Sequence, residues 1–479
     1  MKILVSRIYA FFALSACFAT GSISLAQSTA PVTVQLSPGS NVQAAVSAAP
    51  PGSTFKFAAG VYRMQSVVPL AGDIFKGKLG VIFNGSQVLT FQLDPAGSGY
   101  WVASATASTA QSGTCTTGFP LCGYTQDLFI NSKLQTPAST NTGLQPGTWY
   151  FDRVNNLVYL PANPTGQTVE LGMSQYAFYG SAPNVQVQNI VVQEYANLAQ
   201  TGAVGGDTWT DGLGSGWIVT GVEAKWNHGG GIVLGTNSQI MNSFIHHNGQ
   251  IGIKLFGTSS VAASNEISWN NYANYATNWE AGGSKFSTTT NLTVQFNYVH
   301  DNNGNGLWTD INNTGTLYQN NTVLHNLGSG IVHEISYTAT IKNNVVKGNG
   351  YGPTVWLWNA QIAILNSPNV NVFDNTVEVP NGAGNGIAVI NQNRGTGTLG
   401  PWVATNDAVH NNVITYLGPG GASGLADDTG GTSAVGDQFD YDRYILANGG
   451  TNHWYWLTTS MNWSALQAAG HEQHGTCCQ

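Results

Sequence analysis

Asp310 and Glu334 close two segments of one form, Gly306-Leu-Trp-Thr-Asp310 and Gly330-Ile-Val-His-Glu334. Lys285 lies in an earlier copy, Gly283-Ser-Lys-Phe-Ser, which itself follows Gly252-Ile-Lys-Leu-Phe. Aligned on their glycines, the four segments put Lys254, Lys285, Trp308 and Val332 in one column. Phe256, Ser287, Asp310 and Glu334 fall in the next. If each segment is a strand and the strands stack in register, Asp310 and Glu334 are direct neighbours. Like charges opposite one another on adjacent strands destabilise a sheet. Such a pair needs a cation beside it, or a shared proton that raises one pKa, and general acid–base chemistry uses that arrangement. Lys285, diagonal to Asp310 at roughly 7–8 Å between Cα atoms, also fits a plain solvated charge cluster.

Parity decides which side chains face outward. Ile253, Leu255, Phe286, Leu307 and Ile331 share one parity and are predicted to point into an apolar interior. That leaves Lys254, Lys285, Trp308, Asp310 and Glu334 on an exposed sheet. Two departures from the repeat flank them: Tyr272 to Ala281, which contains Trp279 and Glu280, and Tyr351-Gly-Pro-Thr-Val-Trp-Leu-Trp-Asn. Loops at these points would wall the patch into a cleft. The expected catalytic groups are Asp310, Glu334, Glu280 and Lys285, with Trp308, Trp279, Trp356, Trp358 and Lys254 as substrate contacts. His333 has inward parity and reads as a buried, hydrogen-bonded histidine. Asp301 and His325 stack at one corner as a predicted salt bridge, whereas His228, His246 and His247 form no clear constellation. Without a Ser-His-Asp order, phosphate loop or His-Glu-x-x-His motif, serine-hydrolase, nucleotide and zinc-protease chemistry lack support.

The elements that must hold these residues follow from a repeat of roughly 23–24 residues. Its unit is Asn-x-apolar-x-x-Asn, a Gly-rich corner, then Gly-apolar-x-apolar. Clear copies are Asn297-Tyr-Val-His-Asp-Asn302 and Asn321-Thr-Val-Leu-His-Asn326, with another from Asn344. Weaker ones begin at Asn242, Asn265 and Asn375. Each segment alternates with period two and is too short to bury its apolar face alone, so stacked rungs of an all-β, right-handed parallel β-helix are predicted. The six leading Asn residues then form an interior ladder, each amide bonding the next rung and the corner backbone.

Residues 31–75 are expected to supply the N-terminal cap and first rungs, with a short capping helix begun by Asn41 and ended at Pro51-Gly52. The repeat is lost over 76–175, where Trp149-Tyr-Phe-Asp and Leu157-Val-Tyr-Leu suggest an antiparallel β insertion. Rungs resume over 176–415, and 416–479 is expected to cover the C-terminal end.

Only 8 % of the 479 residues are charged while Gly reaches 59, a low charge that does not come with the low hydrophobicity of disorder. The formal net charge of −8 and the lack of a basic patch exclude a nucleic-acid partner. Lys2 and Arg7, the apolar run Ile8 to Ala19 and the small residues Ser24-Leu25-Ala26 read as a cleaved signal peptide over 1–26, so the mature chain is expected to be secreted. Leu14-Ser15-Ala16-Cys17 resembles a lipoprotein box, which leaves lipid anchoring through Cys17 open. No later segment has the ~18–20 apolar residues of a membrane helix. Cys115 and Cys122 bracket a loop that a disulfide would close; Cys477 and Cys478 are adjacent and carry no assignment.

With these residues in view, the chain resembles secreted bacterial right-handed parallel β-helix proteins of the pectate-lyase-like superfamily. The resemblance rests on Ser37-Pro-Gly-Ser-Asn-Val-Gln-Ala-Ala-Val, on Trp279-Glu-Ala-Gly-Gly-Ser-Lys285, and on Gly306 to Asp310 followed by His333-Glu-Ile-Ser-Tyr337. The insertion is similar to the β subdomain of several β-helix glycoside hydrolases. The resemblance implies glycoside hydrolysis, polysaccharide lysis or uronate epimerisation. The Asp-Pro-His motif of the epimerases and the Asn-Thr-Asp and Gly-His-Gly set of polygalacturonases are both missing. Three functions are therefore carried forward. The first is a glycoside hydrolase acting on a polysaccharide or oligosaccharide through Asp310, Glu334 and Glu280. The second is a lyase or epimerase with Lys285 as base and Ca²⁺ held by Asp310 and Glu334. The third is a non-catalytic carbohydrate-binding or surface solenoid.

Overall fold

The structure is a computed structural model and describes residues 30–108, 110–207, 212–352, 356–429 and 435–478. The expected signal peptide over 1–26, with Cys17, lies outside the described residues. Short strands of two to nine residues wind through three long sheets of 13, 12 and 12 strands. One turn runs Thr293–Gln295, Tyr298–His300, Leu307–Asp310; the next runs Thr316–Gln319, Thr322–Leu324, Ile331–Glu334. Successive turns pair in parallel, as Val294 with Tyr318, Val299 with Val323 and Leu307 with Ile331. These six side chains are fully buried in one continuous core. A strand this short buries one apolar side chain per face, so stability comes from the stack and each turn depends on its neighbours. The chain is a parallel β-helix.

Corners are set by backbone conformation and by amides. Between the first and second sheets a single residue turns the chain in the left-handed region, as Phe296, Asn320 and Asn343 do. The next residue is the ladder Asn. Asn265, Asn297, Asn321, Asn344 and Asn375 each donate Nδ2 to the following Oδ1 at 2.9–3.0 Å, through Asn412 to Asp442. Asn242 does not take part. It is the exposed left-handed residue, and Ser243 accepts the preceding backbone amide in its place. A second ladder, Asn227, Asn248, Asn270, Asn302, Asn326 and Asn349, runs along the next corner and ends on Gln361. Each amide answers backbone groups that the turns leave unpaired, at a net gain of about 0.5–1.5 kcal/mol per bond. Glycine before the third strand is a packing requirement: a Cβ on Gly306 would lie 2.7 Å from the Gly330 oxygen.

The helix Val42–Ala48 closes the N-terminal end, with the Asn41 side chain accepting from the Ala44 amide at 3.0 Å and Val42 and Val46 buried against the first rungs. Rung strands continue to Val81–Asn84. Two small, mainly antiparallel sheets then occupy Ser86–Gly172 around Leu128, Trp149, Val158 and Leu171. Arg63 joins this insertion to the solenoid through Glu170 at 2.6 Å, and His228 does so through Asp127 at 2.8 Å. Cys115 and Cys122 are disulfide-bonded with Cα atoms 5.7 Å apart, as are the neighbours Cys477 and Cys478. Parallel pairing extends beyond residue 415, through Ser423–Asp427, Gln438–Asp440 and Arg443–Leu446 to Trp454–Leu457. The helix Trp463–Ala468 packs Leu466 into the end of the core. Among the described residues, no helix is long and apolar enough to cross a membrane.

Candidate active site

The third sheet has the register expected from the glycine alignment. Lys254 pairs with Lys285, Phe256 with Ser287, Ser287 with Asp310, and Asp310 with Glu334. Beneath them Ile253, Leu255, Phe286, Leu307 and Ile331 are fully buried in the core. The expectation of an exposed sheet is wrong. Lys254 is 3 % exposed, Lys285 5 %, Trp308 4 %, Asp310 7 % and Glu334 8 %, because loops from other turns roof the outer face. Unpaired charges cannot persist in such a place, and the cluster is cross-linked throughout.

Lys285 stands at its centre. Its Nζ is 2.8 Å from Asp310 Oδ2, 3.6 Å from Glu280 Oε2 and 3.3 Å from the Trp279 carbonyl oxygen, and lies 4.1 Å from the centre of the Trp308 ring. Every oxygen it faces is an acceptor, so its geometry is that of an ion-pair donor and does not favour a base. Glu280, delivered by the short helix Thr277–Glu280, pairs through Oε1 with Lys254 and accepts from Gln200 Nε2 on Oε2 at 2.7 Å. Both its oxygens are therefore engaged. Gln250 Nε2 fixes the loop by donating to the Glu280 carbonyl oxygen at 2.7 Å. Burial pulls Lys254 below the ordinary lysine range, opposed by Glu280. Lys254 is thus a buried anchor for Glu280, in contrast to its expected role as a substrate contact.

Glu334 meets different partners. Trp308 Nε1 donates to Oε2 at 3.1 Å, and Arg394 Nη1 lies 2.8 Å from Oε1. Burial pushes Glu334 above the usual carboxylate range, Asp310 adds to the effect, and Arg394 and Lys285 oppose it. Asp310 Oδ1 is buried and has no hydrogen-bond partner. Register-adjacent carboxyls therefore differ: Asp310 is bound to a lysine with one oxygen free, and Glu334 is held by an indole and an arginine with its proton affinity raised.

The tryptophans divide. Trp308, Trp356 and Trp358 share an apolar cluster with Val332, Leu357 and Leu365 beside the carboxyls, and Trp356 and Trp358 remain partly open. The Trp279 ring instead packs with Tyr275 and Cys115 against the insertion; only its carbonyl serves the cluster. Residues 353–355 of the second predicted wall lie outside the described residues. His333 is buried as expected, bonded to Thr309 Oγ1 at 2.7 Å and to the Tyr337 carbonyl oxygen at 2.5 Å, and burial pulls it down to about 4. The predicted Asp301–His325 bridge is not made, since Asp301 bonds its own neighbour His300 at 2.7 Å. Sequence reasoning missed Gln200, Gln250 and Arg394. A usable signal existed for the arginine, because the chain has only 15 Lys and Arg and Arg394 stands in a non-repeating Gly-rich stretch.

Residues 211–367 match the family model of the right handed beta helix region. Among solved structures, XylC in complex with xylose is similar at 16 % identity and a TM-score of 0.69, over 85 % of this chain and 80 % of that one. The A-module of a mannuronan C-5 epimerase from Azotobacter vinelandii is 14 % identical over 91 % and 92 %, with a TM-score of 0.45. A glycoside hydrolase is 9 % identical over 87 % and 96 %, with a TM-score of 0.44. No curated protein matches the chain in sequence. The family-model match and the likeness to XylC establish a right-handed parallel β-helix.

Proposed function

We propose that the chain is a secreted glycoside hydrolase acting on a neutral polysaccharide or oligosaccharide, with Asp310 as nucleophile and Glu334 as general acid and base. The observation that carries this reading is the unlike treatment of two register-adjacent carboxyls. Lys285 pairs with Asp310 through Oδ2 and leaves Oδ1, the atom proposed to attack the anomeric carbon, buried without a hydrogen-bond partner. Burial raises Glu334, which suits a group that gives a proton to a leaving oxygen and takes one back from water. Adjacent strands lie about 4.8 Å apart, closer to the ~5–5.5 Å carboxyl spacing of retaining enzymes than to the wider inverting gap. Trp356 and Trp358 offer partly open aromatic surface beside the carboxyls for a sugar ring.

Charge balance favours a neutral sugar. Glu280, Asp310 and Glu334 are answered by Lys254, Lys285 and Arg394. A uronate carboxylate would find each of these cations already engaged, and burying an unpaired charge is costly. Calcium fits this donor set poorly, because Ca²⁺ takes roughly six to eight oxygen ligands and the two carboxylates proposed for it each bond a cation. A lyase or epimerase acting through Lys285 and Ca²⁺ is thus the weaker reading. XylC was solved with xylose bound, which agrees with a neutral sugar at this fold.

The deciding experiment is release of reducing ends from a panel of neutral and uronate glycans, read together with the ultraviolet absorbance of unsaturated products. Reducing ends from neutral glycans, lost in Asp310→Asn and Glu334→Gln, are expected. Unsaturated uronate products would replace the proposal with a lyase. Glycan binding without turnover would leave a binding solenoid.

A further inference from the structure

Arg394 reaches Glu334 from far along the chain. It lies between the third-sheet strand Asn385–Asn391 and a two-stranded hairpin, Thr396–Gly397 with Gly400–Pro401, and this arm folds back over the sheet. Both ends of the arm are fixed. At the base, Asn366 Nδ2 donates to the Trp402 carbonyl oxygen at 3.1 Å, and Gln392 Nε2 to Asp428 Oδ2 at 2.9 Å. At the tip, the Tyr337 hydroxyl donates to the Gly400 carbonyl oxygen at 3.0 Å and accepts from the Leu399 amide at 2.9 Å, while Asn312 Oδ1 accepts from the Thr398 amide at 3.0 Å. Asn312 and Tyr337 follow Asp310 and Glu334 on their own turns. The arm is thus tied to the turns that carry the two carboxyls, and its one cation points at one of them.

We propose that Arg394 is a positioning residue for Glu334, clamping the carboxyl against the Trp308 indole so that the arm sets its orientation and the pH range in which the site can donate a proton. The inference rests on the reading of Glu334 as general acid. Three charged groups face Glu334: Asp310 from the preceding strand, Lys285 from the one before it, and Arg394 from the arm. Leu365 is its partner on the following strand and contributes no charge. Of the two cations, Lys285 is bonded to Asp310 and is 6 % exposed in its side chain, whereas Arg394 bonds Glu334 directly and is 32 % exposed. Arg394 is therefore the cation that an arriving sugar can reach, and the one whose removal acts on Glu334 without disturbing the Lys285 pairs. The contact is made by one nitrogen, Nη1, 2.8 Å from Oε1, on a guanidinium that stays charged at every working pH and is less strongly hydrated than a lysine ammonium.

The test compares Arg394→Gln and Arg394→Lys with the wild type, using the neutral glycan that the wild type cleaves best. In Arg394→Gln the limb of the kcat/KM profile governed by Glu334 should move about one unit toward higher pH, because an opposing charge has been removed. Arg394→Lys should return the limb toward its original place while kcat stays reduced. A fall in kcat/KM that is equal at every pH would overturn the proposal and leave a structural tie. A second readout needs no turnover: carboxyl ¹³C titration of labelled Glu, with the Glu334 resonance identified by its loss in Glu334→Gln. If no glycan is cleaved, this titration still decides between the outcomes. A Glu334 midpoint unchanged in Arg394→Gln sinks the proposal whether or not the protein is a hydrolase, and a raised midpoint supports it.

Discussion

Asp310 and Glu334 are partners in register on adjacent strands, yet each carboxyl is bonded to a cation from a different part of the chain. Lys285 comes from the preceding turn and Arg394 from an arm beyond the next two turns. A pair that would repel on an open sheet is thereby held together and at the same time made unequal. The inequality, more than the proximity, is what the proposed hydrolysis would use.

Replacing either carboxyl by its amide keeps the shape and removes the chemistry. Asp310→Asn and Glu334→Gln are each expected to lower kcat by about 10²–10⁴-fold, and Asp310→Asn also to lower the thermal midpoint, because it leaves Lys285 without its nearest carboxylate. The double variant should fall only slightly further, since residues acting as a unit are not additive. Initial rates of reducing-end release, with melting curves on the same samples, check this. Wild-type rates in both single variants would remove the site from the mechanism.

Lys285 is predicted to matter as much for folding as for activity. Lys285→Met leaves Asp310 buried without its ion partner, and breaking a buried pair costs about 3–5 kcal/mol. Glu280 keeps Lys254 and Gln200, so the loss should concentrate on Asp310. Adding Asp310→Asn to Lys285→Met should therefore recover much of the lost stability. Urea denaturation of the four proteins in a double-mutant cycle measures the coupling. Additive losses would show that the pair is not a unit.

The register of this site was legible because a period-two strand stacked on a fixed repeat leaves no freedom: the glycines align the turns, and the alignment pairs Asp310 with Glu334. Burial was not legible. Parity says that a side chain points away from the core, but it says nothing about a loop that later lies over it. Arg394 illustrates the limit, since its arm has no repeat and no sequence relation to Glu334. Glu280 was legible from its place in an insertion, but Lys254 and Gln200, which take its two oxygens, are partners that local sequence cannot name.

The Asn ladder shows the same resolution at the level of one residue. Asn321→Ala removes donations to Val294 and Asn344 and strands the Asn297 backbone amide, which bonds the Asn321 oxygen at 3.1 Å. A loss of about 2–3 kcal/mol is expected. Asn242, which alignment placed in the ladder, sits one residue outside it in the left-handed region. Asn242→Gly should change stability by no more than about 0.5 kcal/mol. Denaturation midpoints of the two variants separate ladder from corner, and equal losses would contradict the assignment.

Near the C-terminal end two stacked rung-corner positions carry buried acids, and they predict how stability follows pH. Asp407 Oδ1 accepts from the Val370 amide at 2.8 Å, and Asp437 Oδ1 accepts from the Asp407 amide at 2.8 Å, but the second oxygen of each is buried without a partner. Burial, with Asp437 nearby, holds Asp407 well above the usual carboxylate range; burial likewise pushes Asp437 up to about 6. In the unfolded chain both titrate near ~3.9. The folded state therefore binds more protons than the unfolded state above that point. The stabilisation is complete below the unfolded value and is lost as pH rises through the folded values, around 6 for Asp437 and well above the usual carboxylate range for Asp407. The buried histidines His247 and His333, pulled down to about 4, act in the opposite sense only below the ordinary histidine range. Above the ordinary histidine range the acids alone should govern, and the thermal midpoint should decline as pH rises toward the value at which folded Asp407 ionises. Asp407→Asn supplies an amide that cannot ionise and should flatten the decline while leaving stability at pH 5 within about 1 kcal/mol. Melting curves across this rise in pH on the two proteins check the prediction. An equally steep decline in the variant would place the alkaline sensitivity elsewhere in the fold.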